Sequence, residues 1–232
     1  MKLLVFGASG RTGHELVKQA LAGGLEVTAF VRNPAKLRIT SPNLRVVQGD
    51  VGDQSAVEHT VGGHDAVVSA LGVGKTLKHD PVVIDGIRHI IRAMEGSSVR
   101  RLIYLSFIGV RESRHAAGFF LRYIAPVPLR QEIEDHQIKE GLIRASRLDW
   151  TVVRAPNLTN GPLTGIYRVG EDISAHSLFP RMSRADVAHF MLRQLTDTTF
   201  VRKTPRVLPY RKVVTPVYAA DQPTRGTSTN DH

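Results

Sequence analysis

The length, composition and charge of the chain exclude several classes of protein before any motif is considered. At 232 residues, with 42% hydrophobic and 22% charged residues, the chain is long enough for one α/β domain with a full core and too short for two ordinary domains with linkers. It contains no cysteine, which excludes disulfides, thiolate metal ligands and a cysteine nucleophile, and its formal net charge of +10 favours anionic ligands.

The first predicted element is a short apolar strand, residues 2–6, that leads directly into glycine-rich sequence. Because this run ends in glycine and not at a small-residue cleavage site, it lacks the form of a signal peptide. No apolar stretch of the sequence approaches the ~18 residues that a membrane helix needs. Together with the absence of cysteine, these features lead us to expect a cytoplasmic protein without a membrane partner.

Beyond this strand, apolar runs rich in Val, Ile and Leu alternate with stretches of helical period. The runs predict buried strands, and the stretches between them predict amphipathic helices. Such alternation is typical of linked βαβ units, so we predict an α/β fold of the Rossmann type, with a doubly wound parallel sheet in three α/β/α layers. The predicted strands are residues 2–6, 26–31, 44–48, 66–71, 102–106 and 150–154, and the predicted helices are residues 12–21, 55–61, 82–94, 133–145 and 184–195.

The alternation breaks down at two places. Residues 156–180 contain Gly, Pro and Thr without a clear period, and we predict that the segment at about 156–183 covers the substrate pocket. Residues 211–232 are largely polar and have little to bury, which predicts a flexible tail. We therefore expect a single domain over residues 1–210.

The turn after the first strand reads Gly7-Ala8-Ser9-Gly10-Arg11-Thr12-Gly13 and opens the first predicted helix. In this context the three glycines serve a tight turn, close approach of the backbone to a diphosphate, and close packing of helix on strand. The helix N-terminus then faces the anion with free N–H groups and the positive end of its dipole. A glycine turn without a ligand is disfavoured by the position at the first βα junction. The residues predicted to bind a dinucleotide here are Gly7, Ser9, Gly10, Arg11, Thr12 and Gly13.

The end of the second strand indicates which dinucleotide is bound. About 20 residues past the glycine turn, NAD-binding domains carry an acid for the ribose 2′-hydroxyl, whereas an arginine there accommodates a 2′-phosphate. This sequence has Arg32 at that place and no acid beside it. Arg32, with Arg11 in the turn, therefore predicts NADP(H) as the cofactor. Lys36 either joins them or is a solvated loop lysine.

Two later strand ends complete the predicted cofactor site. After the third strand, Asp50 and Val51 are predicted to meet the adenine, while Asp53 is interpreted as the cap of the next helix. After the fourth strand come Ala70, Leu71 and Gly72, whose backbone is predicted to pass close to the ribose or nicotinamide. Packing alone is the alternative explanation for these small residues.

Several stretches together resemble the atypical, NAD(P)H-binding branch of the short-chain dehydrogenase/reductase superfamily, which includes NmrA-like regulators and flavin reductases of the biliverdin-IXβ type. The resemblance reaches to about Phe200 and is closest to the flavin reductases. It is carried by the glycine turn, by Asp135-His136, and by residues 146–156, 163–167 and 188–193.

The resemblance implies a catalytic pair but not the usual one. The superfamily's set is a serine at the end of the fifth strand with Tyr-x-x-x-Lys on the following helix. This sequence keeps Ser106, has no such Tyr-Lys pair, and carries His136 where relatives have lysine. We predict Ser106 and His136 as catalytic and cofactor-binding residues, with His136 acting as a general acid or as a hydrogen-bond partner of the nicotinamide ribose. The alternatives are a turn-capping serine and a histidine without a chemical role.

Two residues after the sixth strand are added on the same grounds. Pro156 and Asn157 are predicted to contact the cofactor, Asn157 standing where flavin reductase has a histidine. Asn157 and Tyr167 are weaker candidates for a chemical role. The alternatives are a turn residue for Asn157 and a core aromatic for Tyr167. Residues 111–130 mix aromatic residues with arginines, which suits an anionic planar substrate, a packed helix or a dimer surface.

These features predict an NADPH-dependent oxidoreductase that transfers hydride to a small conjugated acceptor of the flavin, quinone or tetrapyrrole type. The alternative is a non-catalytic NADP(H)-binding redox sensor of the NmrA-like type, favoured by the missing Tyr-x-x-x-Lys. That absence also disfavours a sugar-nucleotide epimerase. We expect an anionic or planar small-molecule partner, a monomer or homodimer, and no metal. Because the arginines are scattered and no nucleic-acid module is present, we expect no nucleic-acid partner.

Overall fold

A computed structural model describes residues 1–72, 80–110, 130–175, 177 and 179–210. The predicted aromatic and arginine loop at 111–130 and the predicted tail at 211–232 therefore lie outside the described residues, apart from position 130. In chain order the elements are β1 Lys2–Phe6, α1 Arg11–Ala22, β2 Glu26–Val31, a 3₁₀ turn Pro34–Lys36, β3 Leu44–Gln48, α2 Gln54–Val61, β4 Ala66–Ser69, α3 Pro81–Glu95, β5 Arg101–Phe107, α4 Arg130–Ala145, β6 Asp149–Ala155, β7 Asn157–Thr159, β8 Tyr167–Gly170, β9 Arg181–Ser183, α5 Arg184–Arg193 and β10 Arg206–Pro209.

The main sheet has the strand order β3-β2-β1-β4-β5-β6-β10-β8. Its pairs are parallel except for β8, which runs antiparallel to β10. The order reverses between β1 and β4, and this reversal leaves a crevice at the carboxyl ends of the two strands, where ligands bind in open α/β sheets. The predicted Rossmann-type α/β fold is confirmed.

Each face of the sheet packs against its own layer of helices. Alternate residues of β1 divide between the two faces: Leu3 and Val5 belong to one apolar cluster, and Leu4 and Phe6 to the other. The first cluster includes side chains of α1 and α5, and the second includes side chains of α2, α3 and α4. These two cores make the three-layer architecture that the alternation predicts.

The segment after β6 contains short strands that were not predicted from the sequence. β7 pairs with β9 in a separate two-stranded parallel sheet, and β8 adds to the edge of the main sheet beside β10. These strands have three or four residues each, which is too short for a period-2 pattern to stand out between glycines and prolines. The stretch 156–180, in which no regular period was found, thus contains the short strands β7 and β8, and the covering of a pocket by residues 156–183 stays a prediction.

Three predicted boundaries shift by two residues or more. β4 ends at Ser69 and not at residue 71, α5 ends at Arg193 and not at residue 195, and α4 begins at Arg130 and not at residue 133. The chain leaves the sheet early after β4 because Ala70 packs against the glycine turn: a Cβ added to Gly7 would lie 2.8 Å from the carbonyl carbon of Ala70.

Candidate functional site

The glycine turn forms the junction between β1, β4 and α1. Gly7 has a φ of +75°, a conformation that other residues rarely adopt. At Gly13 an added Cβ would lie 2.0 Å from the carbonyl oxygen of Gly7, so only glycine allows α1 to approach β1 this closely. The predicted roles of these two glycines in the turn and in helix packing agree with this geometry.

The N-terminus of α1 is open to an anion. Gly10 caps the helix without a side-chain hydrogen bond, and the first turn of α1 carries no acidic residue. The backbone N–H groups of that turn therefore have no capping acceptor from a side chain. A diphosphate fits this cradle, with Gly10 leaving room for its approach and the helix dipole favouring its charge.

After β2, the basic residues are exposed and held on a short, defined turn. Arg32 follows β2 directly and is exposed. The side chain of Asn33 accepts a hydrogen bond from the Ala35 N–H at 3.0 Å, which fixes the 3₁₀ turn that carries the exposed Lys36. Nothing acidic stands between residues 31 and 38, so a 2′-phosphate would meet no repulsion from this segment.

In the turn after β3, the residues predicted to meet the adenine also make contacts within the fold. Asp50 accepts a hydrogen bond from the Gly52 N–H at 2.8 Å, and Val51 is buried beneath α3, with its carbonyl 2.9 Å from His89 Nδ1. Asp53 caps α2 by accepting from the Ala56 N–H at 3.1 Å, which confirms its interpretation as a helix cap. Contacts of Asp50 and Val51 with adenine stay predictions.

The register of the sheet places the remaining predicted residues at one edge. Phe6 pairs with Ser69 and Phe107 pairs with Ala155, so the strand ends lie side by side. Ala70, Leu71, Ser106, Pro156 and Asn157 therefore all lie at or near the carboxyl edge that also holds the glycine turn. Asn157 is the exposed first residue of β7.

A buried polar cluster joins β5, β6 and α4 near this edge. Ser106 pairs in register with Arg154, and both are buried. The Ser106 hydroxyl donates to Glu140 Oε1 at 2.6 Å and lies 3.4 Å from His136 Nδ1. The two residues predicted as a catalytic pair are thus brought together. The hydroxyl hydrogen of Ser106 points to Glu140 and not to His136.

The Glu140 carboxylate also forms a two-point ion pair with Arg154. The Arg154 Nη2 donates to Oε2 at 2.6 Å and Nε donates to Oε1 at 3.2 Å. Both side chains are at most 1% exposed. Removing water from two charges is costly, and such a pair is tolerated only with good geometry and further hydrogen bonds, which Ser106 supplies here.

The sequence analysis missed Glu140 and Arg154, although each left a signal. Arg154 is a charged residue inside an otherwise apolar strand, which requires a buried partner. Glu140 lies four residues after His136, on the same face of α4.

His136 is uncharged in this environment. Burial, reinforced by the positive charge of Lys139, lowers the pKa of His136 to about 3. An uncharged ring is a hydrogen-bond partner and not a ready proton donor at neutral pH. Of the two roles predicted for His136, the lowered pKa favours the hydrogen bond over general acid catalysis.

Two buried hydroxyls beside the cluster have no hydrogen-bond partner among the described residues: Ser69 Oγ and Tyr104 Oη. They belong to residues that pair in register on β4 and β5. Burial, and after it the charges of Glu140 and Asp135, raises the pKa of Tyr104, so its phenol keeps its proton. Tyr104 was predicted only as part of an apolar strand.

Tyr167 lies apart from this cluster. Its hydroxyl is 2.7 Å from His189 Nδ1, and its ring packs edge-on against Phe190 of α5. This position agrees with the alternative interpretation of Tyr167 as a core aromatic.

Comparison with known proteins gives a consistent family. A family model described as NAD(P)H-binding matches residues 7–198. The (4-alkanoyl-5-oxo-2,5-dihydrofuran-3-yl)methyl phosphate reductase of Streptomyces griseus is 30% identical over 162 residues, covering 70% of this chain and 50% of that protein. YwnB of Bacillus subtilis, an uncharacterized protein, is 31% identical over 109 residues, covering 47% of this chain and 48% of that protein. The chain thus spans about half the length of these curated relatives.

Solved structures show the same fold. ChuY, an anaerobillin reductase from Escherichia coli O157:H7, superposes with a TM-score of 0.75 at 22% identity, covering 90% of this chain and 97% of that chain. The oxidoreductase ylbE from Lactococcus lactis superposes with a TM-score of 0.77 at 21% identity, covering 91% and 92%. Within the described residues, no helix is both long and apolar enough to span a bilayer, and no three His, Asp or Glu residues are grouped as metal ligands.

We expect Glu140→Ala to lower the free energy of unfolding by about 3–5 kcal/mol, because it removes the carboxylate of the buried Glu140–Arg154 ion pair. Urea denaturation measures this change. Asp85→Ala is the matched control, since it removes the acid of the exposed Asp85–Arg88 pair and is expected to cost less than about 1 kcal/mol. Equal losses in the two variants would show that the buried pair is not essential to the fold.

A second prediction concerns pH. Between pH 6.5 and 3 the unfolded chain protonates His136 while the folded protein does not, so stability falls as the pH falls through this window. One group contributes a slope of at most about 1.4 kcal/mol per pH unit. His136→Gln should flatten the dependence of unfolding free energy on pH, measured by urea denaturation from pH 7 to pH 4. His59→Gln, on the exposed face of α2, is the control for loss of a histidine, and an unchanged slope in His136→Gln would contradict the prediction.

Proposed function

The chain belongs to the NAD(P)H-binding family, and from this premise we propose that it is an NADPH-dependent reductase that transfers hydride to a small conjugated acceptor of the flavin, quinone or tetrapyrrole type. Family membership confirms the resemblance that the glycine turn indicates. The observation that carries the proposal is the placement of the Ser106–His136 pair at the sheet edge that also holds the glycine turn. A nicotinamide bound along this edge would lie against that pair.

Each part of the edge has a task in binding the cofactor. The backbone N–H groups at the start of α1 would bind the diphosphate, and Arg32 would bind the 2′-phosphate as a charged donor. Ala70 and Leu71, packed against Gly7, would leave space for the nicotinamide half. When bound, the cofactor supplies hydride from its nicotinamide C4.

The chain's own residues position the reactants and need not supply strong acid catalysis. The Ser106 hydroxyl donates its hydrogen bond to Glu140, which fixes its orientation. The Ser106 oxygen is then left to accept a hydrogen bond. The uncharged His136 would bind the nicotinamide ribose. Hydride transfer to a conjugated acceptor is promoted mainly by proximity and orientation, which accommodates the missing Tyr-x-x-x-Lys.

The relatives support a reductase acting on small molecules. The Streptomyces griseus relative is a reductase of an alkanoyl-oxo-dihydrofuranyl methyl phosphate, and ChuY is an anaerobillin reductase. Both names describe reduction, and the substrates differ widely. The acceptor class proposed for this chain therefore rests on the site.

A redox-sensing regulator that binds NADP(H) without turnover is the second candidate. The buried Ser106–Glu140–Arg154 network favours it, because no protonated acid stands ready at the pair and the usual tyrosine and lysine are missing. Turnover separates the two candidates, whereas cofactor binding does not.

The direct test measures NADPH oxidation with FMN, quinones and linear tetrapyrroles as acceptors. We expect turnover with at least one acceptor and loss of it in Gly10→Trp, whose indole would fill the approach to the α1 N-terminus. Thermal unfolding of Gly10→Trp checks that the variant is folded. Tight NADPH binding without oxidation for any acceptor would instead establish the regulator.

Cofactor preference has a separate test. Arg32→Asp should raise the Kd for NADPH by about 10- to 100-fold, because a charge-assisted hydrogen bond is replaced by repulsion, and should change the Kd for NADH little. Fluorescence titration measures both constants. Arg45→Asp, an exposed position on β3, makes the same change in charge as a control. Equal weakening of NADPH and NADH by Arg32→Asp would refute the assignment of NADP(H).

A further inference from the structure

A cleft of about 300 Å³ lies beside the glycine turn, between α1, the residues after β7, and α5. Arg11 and His14 line it from α1, and Asn160 and Arg184 line it from the opposite side. Its volume is at the lower end for small-molecule sites, which leaves ample room for a phosphate or carboxylate group.

The cleft is distinct from the cradle for the diphosphate. Arg11, His14 and Glu15 occupy positions i, i+3 and i+4 of α1 and therefore share one face of the helix. The residues Thr12 and Gly13 between them are buried, so the shared face lies on the flank of α1. The backbone N–H groups that face a diphosphate lie at the end of the helix, and the cleft lies at its side.

Within the part of the chain that the structure describes, neither arginine of the cleft has an acidic partner. Arg184 Nη1 donates to Asn160 Oδ1 at 2.7 Å, a neutral acceptor that orients the guanidinium. Neither arginine forms an ion pair with a carboxylate of the described residues. Burial, and then repulsion from Arg11, lowers the pKa of Arg184, so the two cations are close enough to oppose each other.

The positions of Arg11 and Arg184 on their helices add to the electrostatic repulsion that each positive charge experiences. Arg11 is the first residue of α1 and Arg184 is the first residue of α5, where the helix dipole disfavours positive charge. Neither nearby acid forms an ion pair with these arginines within the described residues. Glu15, which also lines the cleft, accepts a hydrogen bond from Gln19 Nε2 at 3.4 Å, and Asp186 accepts hydrogen bonds from Ser183, Thr164 and Gly165.

We infer that this cleft binds an anionic group, phosphate or carboxylate, of the acceptor substrate, with Arg184 and Arg11 as the charged donors. An anion between the two guanidinium groups removes their repulsion and accepts charge-assisted hydrogen bonds from both. The inference rests on the proposed function, because it assigns the cleft to the acceptor and leaves the diphosphate to the glycine turn.

A binding experiment tests the cleft without requiring turnover. Inorganic phosphate is titrated into protein saturated with NADP(H), and the ring signals of His14 are followed by NMR. Wild type should bind phosphate, Arg184→Gln should weaken binding about tenfold or more, and Arg181→Gln should bind as wild type. Arg181 is the matched control because it is exposed and lies three residues away on β9.

Other outcomes overturn the inference. If phosphate binds only to the cofactor-free protein and is displaced by NADP(H), the cleft holds a phosphate of the cofactor. If wild type binds no phosphate, or Arg181→Gln loses binding as strongly as Arg184→Gln, the cleft is not an anion site.

A kinetic arm uses FMN and riboflavin, which share one ring system and differ by a terminal phosphate. Arg184→Gln should raise KM for FMN about tenfold and leave KM for riboflavin and kcat for both unchanged. If neither flavin nor any other acceptor is reduced while phosphate still binds through Arg184, the proposed function fails and the anion site stands. If the KM for FMN relative to that for riboflavin is the same in wild type and Arg184→Gln, the anion site is refuted while the reductase function is supported.

Discussion

The close packing of Gly7, Gly13 and Ala70 is the constraint on which the site depends. A single methyl group at Gly13 would lie 2.0 Å from the Gly7 carbonyl oxygen, so α1 can reach β1 only over bare backbone. This contact brings the N-terminus of α1 to the point where the strand order reverses between β1 and β4. The orientation of the cofactor cradle, and of the cleft beside it, follows from this one junction.

The parallel half of the sheet could be predicted from the sequence because its signals are local. β1, β2 and β3 have the predicted bounds. β1 and β2 are buried, as continuous apolar runs in a parallel sheet are expected to be, whereas β3 is the edge strand and none of its residues is buried, so its prediction as a buried strand was wrong. β10 could not be found in this way. It starts with Arg206 and ends with Pro209, and its place between β6 and β8 is decided by pairing with residues far away in the sequence.

The same division applies to the candidate site. Ser106 and His136 could be predicted because a family motif marks their positions, and the fold does bring them together. Glu140 and Arg154 were missed because they form an ion pair between α4 and β6. The spacing of residues along the sequence does not reveal such a pair. The cleft depends even more on tertiary structure, since Arg11 and Arg184 are far apart in the chain and only the packing of α1 on α5 makes them neighbours.

The Glu140–Arg154 pair also limits how α4 can assemble with the sheet. A helix packed by apolar contacts alone can slide by one turn at modest cost, but Arg154 needs a carboxylate opposite it. One turn toward the N-terminus offers His136, and one turn toward the C-terminus offers Arg144. Both shifted arrangements leave a buried guanidinium unneutralised, so a large energy gap separates the native docking from the misaligned states nearest to it. The pair thereby fixes the register of α4 against β6, and with it the positions of the residues that α4 contributes to the binding edge.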